Sequence, residues 1–261
     1  MTRTFKPAAI LAITAFLLAS CAGDGDSAPS DDGLVKPGTL TVCSDVPYPP
    51  FEEFDKSAAS GFKGFDVDIV QAVADGLNLK LAIRDSSFDG LQSGQALNAG
   101  QCDLAASAMT ITPERQKNLD FSTSYYDSKQ SLLVPVDSDI KSIDDLAGKT
   151  VGVQQGTTGK TYTEKNAPKT AKIPSFPSDA EMYQAIQAGQ VDALLQDLPV
   201  NLEHTKSGQF RIVEEYDTNE SYGLALKKGN TTLLKDVNAQ LAELKSSGEH
   251  KKLYDKYFEA N

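Results

Sequence analysis

Four short stretches carry side chains able to hold opposite charges. In MTITPERQKNLDF, residues 109–121, Arg115 offers a planar guanidinium whose paired N–H groups match a carboxylate, and Thr110 adds a hydroxyl. Pro113 after Thr112 predicts a helix start that sets Arg115 and Lys117 in its first turn, against the positive end of the helix dipole. A cation there costs about 0.3–1 kcal/mol, and a bound anion would offset it. The alternative is a solvated arginine paired with Asp120 or Glu114. Asp197, at the end of VDALLQD, suits a cation, but with Pro199 two residues on it also suits a helix N-cap.

The third stretch, QQGTTG at 154–159, follows a strand pattern and opens a helical one, with Thr157 and Thr158 as candidate caps and N–H donors. Taken alone, the stretch is better explained as a plain strand-to-helix turn. The fourth, SDVPYPPFEEF at 44–54, places Asp45, Tyr48 and Phe51 in a proline-stiffened loop. Asp45 is placed to face a ligand's side chain, and Tyr48 with Phe88 of SSFDGL to sandwich a flat amide, guanidinium or long ammonium, whereas Phe51 reads as core. A free amino acid makes this combined demand, because its carboxylate and ammonium must leave water together. It needs a bidentate cation, a carboxylate and backbone N–H donors, and the sequence offers each at a strand end, where open α/β sheets place their ligands.

Catalytic signatures are missing. There is no G-x-S-x-G and no H-E-x-x-H, and the two histidines, His204 and His250, fall in polar helical patterns that read as surface. GVQQGTTGKT fails as a phosphate loop because its first glycine would have to be Gln154. No cofactor or metal site is implied. An enzyme on this frame would need a proton donor, for which only Asp45 or Glu52 qualifies.

The elements that must position these residues alternate between strand and helix patterns. TLTVCSD, KLAIRD and CDLAASA read as strands, with GFDVDIVQAVADGLN and FDGLQSGQALNAG as helices between them. A second series runs from KTVGVQQ (strand) through TTGKTYTEKNA and MYQAIQAGQ (helices) to VDALLQ (strand). GQCDLA at 100–105 and GQVDAL at 189–194 echo each other 89 residues apart, which suggests two lobes of similar design. A final helix over TLLKDVNAQLAELKSSGEHKKLYDKYF aligns Leu234, Val237, Leu241 and Leu244 on one face. If SLLVPV near 131–136 pairs with YGLALKK near 222–228, two crossing strands join the lobes as a hinge.

Arg3 and Lys6 precede an apolar run from Ala8 to Leu18, the layout of an export signal over residues 1–20. Its end, LLASC, resembles the bacterial lipobox, in which Cys21 would take the lipid and become the mature N-terminus. Residues 21–36 read as a flexible tether. Without Arg3 and Lys6 the 25 Lys and Arg fall to 23 against 36 Asp and Glu, a formal charge of −13 that disfavours nucleic acid and anionic lipid as partners. Cys43 and Cys102 remain, either as a disulfide or as two small buried residues.

Taken in order, SDVPYPPFEEF, GFDVDI, SFDGLQSGQ, CDLAASAMTITPERQKNLDFSTSYY, VGVQQGTTG and VDALLQDLP resemble the extracytoplasmic amino-acid-binding proteins of ABC importers, in the branch of the glutamine and lysine/arginine/ornithine binders. The resemblance implies an α/β type II periplasmic-binding-protein fold, with two lobes at 37–128 plus 222–261 and at 129–221 that close on ligand. It implies that Arg115, Thr110 and the Thr158 N–H take a carboxylate and Asp197 an ammonium. Asp45, Tyr48, Phe88 and Gln154 would address the side chain. It further implies a lipid-anchored monomer outside the cell membrane that serves a permease. Gln154 and Gln196 depart from the glutamine binders, whereas Ala106 and Ala108 stand where the basic-amino-acid branch tends to have serines. The expected ligand is therefore a polar L-amino acid with a cationic or amide side chain.

Overall fold

In the computed structural model, residues 1–2 and 33–259 are described. The export segment, Cys21 and most of the tether lie outside the described residues, among which no helix is long and apolar enough to cross a membrane.

Two five-stranded sheets organise residues 33–259. In the first, Lys80–Asp85, Thr39–Ser44 and Leu104–Ala105 run parallel, and Ala225–Lys227 then Leu119–Phe121 complete the edge antiparallel. Every residue of Thr39–Ser44 is buried, as in a strand covered on both faces. Leu40, Val42, Leu104 and Leu226 pack on helix Phe65–Gly76 through Ile69 and Val73 and on Thr231–Ser246 through Val237 and Leu241.

The second sheet runs Phe210–Tyr222, Tyr126–Pro135, Ala193–Asp197, Val151–Gln154 and Ser175–Phe176. It too is buried on both faces: Leu132, Val134 and Leu195 point into one cluster, Leu133 and Leu194 into the other. Phe210–Tyr222 and Tyr126–Pro135 pair from Phe210 opposite Pro135 to Tyr222 opposite Tyr126. The register jumps between Tyr216 and Glu220, which face Gln130 and Ser128, so residues 217–219 stand against Lys129 alone as a bulge.

Cys43 and Cys102 are joined, with Cα atoms 5.8 Å apart. By chain entropy, a cross-link over a separation of 59 residues removes about 4 kcal/mol of freedom from the unfolded chain.

Several sequence expectations are corrected. FDGLQSGQALNAG is two short helices, Phe88–Gln92 and Gln95–Asn98, parted at Gly94, whose φ of 81° a side chain would strain. The final helix likewise splits into Thr231–Ser246 and Glu249–Phe258 at Gly248, φ 78°. Leu233 rather than Leu234 joins Val237, Leu241 and Leu244 on its buried face. The segment 131–136 does not pair with 222–228: it pairs with the start of Phe210–Tyr222, and Ala225–Lys227 crosses into the first sheet. Pro113 does not open a regular helix but leads into a single 3₁₀ turn, Arg115–Lys117, because the strand Leu119–Phe121 follows at once.

Candidate functional site

Each candidate side chain stands where a strand ends. Asp45 and Tyr48 follow Thr39–Ser44, Phe88 opens the helix after Lys80–Asp85, and Ala108, Thr110 and Arg115 follow Leu104–Ala105. In the second sheet Gln154 ends Val151–Gln154, Thr157 caps helix Thr158–Asn166, and Asp197 ends Ala193–Asp197. Nine of the ten expected residues line one small cavity of about 20 Å³, and Ser107 joins them. Gln154, the tenth, stands behind Asp45 and donates to its Oδ2 at 2.6 Å.

Arg115 is 5 % exposed, and its pairing with Asp120 or Glu114 is not observed, because Asp120 pairs with Lys228 and Glu114 with Lys117. Its Nη1 donates to the Thr110 carbonyl at 2.7 Å and its Nη2 to the Gly156 carbonyl at 3.0 Å, and it lies over the Phe88 ring at 5.1 Å. Burial pulls its pKa down to about 10, opposed by Glu220 and Asp197, so it remains charged. A one-turn segment has little dipole to oppose it, and desolvation is the larger cost of its position.

Asp197 takes the N-cap position of helix Leu198–Thr205, but its side chain does not cap. Its carboxylate instead accepts from Tyr48 Oη at 3.0 Å, from Tyr222 Oη and from Gln130 Nε2. Burial raises its pKa to about 7, Glu220 adds to the rise, and the three donors oppose it. Burial likewise raises Asp45 to about 7 against the Gln154 bond, with Asp85 and Asp179 adding to the rise.

The remaining candidates divide by role. Thr157 accepts from the Lys160 N–H and is the helix cap. Ala108 sits at φ 43° and gives its N–H to Asp66 Oδ2 at 2.8 Å. Phe88 serves both as pocket wall and as platform for Arg115, while Phe51 is fully buried core. His204 is buried, stacked on Tyr183 at 3.9 Å and bonded to Asp179, so its reading as a surface residue is corrected: its helix packs inward.

Sequence reasoning missed Ser107, Gln130, Tyr222 and Glu220. Gln130 offered a signal, as a long polar residue leading into the apolar run SLLV, and its amide bridges Asp197 and Glu220. Bonds cross between residues of the two sheets at Tyr48–Asp197, Asp45–Gln154 and Arg115–Gly156, and draw the walls together.

Two sheets whose strand ends converge on one enclosed charged pocket constitute the type II periplasmic-binding-protein fold. Residues 40–260 match the family described as bacterial extracellular solute-binding proteins, family 3, and the chain belongs to it. A probable histidine-binding protein of Neisseria gonorrhoeae is 33% identical over 262 residues, 96% of this chain and 94% of that protein. Among solved structures, an ancestral arginine-binding protein bound to arginine is similar at TM-score 0.79 and 38% identity, covering 85% of this chain and 98% of that one. AncCDT-1, an ancestral amino acid-binding protein and precursor of cyclohexadienyl dehydratase, is similar at TM-score 0.78 and 38% identity, covering 85% and 96%.

Proposed function

We propose that this chain captures one polar L-amino acid outside the cell membrane and delivers it to an ABC permease. The observation that carries this reading is a buried guanidinium and a buried carboxylate, Arg115 and Asp197, lining the same cavity, each bonded only to uncharged groups. A zwitterion supplies the missing counter-charge to both. Arg115, the Thr158 N–H and the Thr110 hydroxyl take the α-carboxylate, and Asp197 takes the ammonium. Asp45, Tyr48, Phe88, Gln154 and the Ala108 wall meet the side chain, with Thr157 holding the turn. Asp85 and Asp179, felt at Asp45, favour a cationic or amide side chain.

Bonds between the sheets at Tyr48–Asp197, Asp45–Gln154 and Arg115–Gly156 close over the cavity, so entry requires the sheets to part and binding to draw them together, favouring the closed form by the contacts that span both lobes. The lobes are residues 37–128 plus 222–261 and residues 129–221. The protein acts as a monomer, tethered by lipid at Cys21. Calorimetric titration with L-arginine, L-lysine, L-histidine and L-glutamine tests this: at least one binds, and silence from all four removes the reading. A second reading, an extracytoplasmic dehydratase, draws on the likeness to AncCDT-1 and on Asp45 as a half-protonated acid facing the cavity near neutral pH. Turnover of a cyclohexadienyl substrate would favour it.

A further inference from the structure

Glu220, 8 % exposed, stands directly behind Thr110 and Thr158 of the pocket wall, and on one oxygen it gathers the hydroxyl protons of both. Its Oε2 accepts from Thr110 Oγ1 at 2.7 Å and from Thr158 Oγ1 at 2.7 Å, while Gln130 Nε2 approaches both carboxylate oxygens at 3.2 and 3.3 Å. The bulge at 217–219 puts it there: the register jumps just before Glu220, and Asn219 turns through φ 52°, re-aiming the side chain that follows.

The location is informative. Thr110 is a donor that the amino-acid reading gives to the ligand's α-carboxylate, Thr158 is the neighbouring one, and Arg115 feels Glu220 more strongly than any other acid. A threonine hydroxyl has one proton to give. While Glu220 is ionised and holds both, neither hydroxyl can donate to a second carboxylate, and a second carboxylate brought beside Glu220 is repelled. Asp197 is held from the side of Tyr48 and Tyr222, and the Gln130 amide nitrogen donates to both acids, so the carboxylate and ammonium positions lie side by side as they do in an α-amino acid.

We infer that Glu220 is an internal competitor for the ligand's α-carboxylate: it keeps the donor set in place, and an incoming amino acid must displace it. This rests on the amino-acid reading above. The displaced side chain has room to move, because Glu220 also borders a cavity of about 510 Å³ lined by Thr161, Lys165 and Asp217, where the Lys165 ammonium offers it a partner.

The test uses the tightest binder among L-arginine, L-lysine, L-histidine and L-glutamine, together with the α-carboxamide of that amino acid. Glu220→Gln keeps the shape but removes the charge. It should bind the free amino acid about fivefold or more tightly than wild type, with no gain for the carboxamide. Thr110→Val provides a check that needs no change at Glu220. It should cost less than about threefold in wild type, where the bond lost to the ligand is offset by the bond to Glu220 lost from the free form, and about tenfold in the Glu220→Gln background. Equal shifts for both ligands, a loss for the free amino acid, or a tenfold loss in the single Thr110→Val variant would overturn the proposal and leave the binding function standing. Failure of the wild type to bind any of the four would remove both.

Discussion

Asp45, Asp197, Glu52 and Asp66 are all buried, yet they fall into two regions with opposite meanings. Asp45 and Asp197 line the cavity, whereas Glu52 and Asp66 lie behind its wall. Burial raises Asp45, Asp66 and Asp197 to about 7 and drives Glu52 well up. The partners differ. Asp45 and Asp197 are bonded across the cleft, to Gln154 and to Tyr48, and open on space a ligand can fill. Glu52 takes the Ser107 hydroxyl, Asp66 takes the Ala108 N–H and the Tyr125 hydroxyl, and the remaining oxygens, Glu52 Oε2 and Asp66 Oδ1, have no partner among the described residues. A proton kept on this pair relieves its repulsion, so the rear acids hold the wall together, while the front acids face the space that the proposed ligand's cationic groups would fill. A buried charge marks a binding site only when its unmet atoms face a cavity.

The contrast can be broken at several points. Arg115→Ala should weaken amino-acid binding about 100-fold or more by calorimetry, since it leaves the ligand carboxylate buried and unpaired. A result within twofold would detach the front region from the assigned chemistry. Asp197→Asn, which keeps the shape, should cost about 30-fold. The two regions should also respond to pH in opposite senses. A ligand cation needs Asp197 ionised, so affinity should fall about tenfold from pH 8 to pH 6 as that group, with its pKa of about 7, takes up a proton. Stability without ligand runs the other way. A carboxyl raised on folding contributes stability that is complete below the unfolded value near 4 and is lost as pH rises through the folded value near 7, so the melting temperature should drop between pH 5.5 and pH 8.

Asp45→Asn should shift the preference between a basic ligand and glutamine by about tenfold toward the amide, with smaller change in the sum of affinities. The smallest effect falls on the rear pair. Glu52→Gln mimics the protonated acid and should leave affinity within about threefold while flattening the fall of melting temperature with pH. A large loss of affinity there would erase the distinction between the two regions.

Much of this was legible in the sequence where the residue type was rare for its place. Arginine after TITPE, aspartate closing an apolar strand and a Gly-Thr-Thr turn stand out against their neighbours, and all converge on one cavity. Glu220 was not legible, because its direction depends on a bulge in a long strand pair whose register no periodicity reveals. His204 was misread because its immediate neighbours, Glu203 and Thr205 to Ser207, are polar, while Asp179 and Tyr183, which bury it, come from another helix. The helices that split did so at glycines inside otherwise continuous patterns, where a left-handed residue changes the chain's direction with little change in composition.

Ala108 has a consequence of a different kind. Outside glycine, a backbone at φ 43° costs about 1–2 kcal/mol, only part of which is returned by the lower freedom of alanine in the unfolded chain, about 0.4–1 kcal/mol. Glycine would therefore stand there at no loss, yet the position carries a methyl group, buried in the pocket wall. Under the proposed function that methyl would act as a gauge, its volume limiting how far a bound molecule can settle toward the first sheet. Replacing it with hydrogen would leave the fold intact and let slightly broader molecules through the measure.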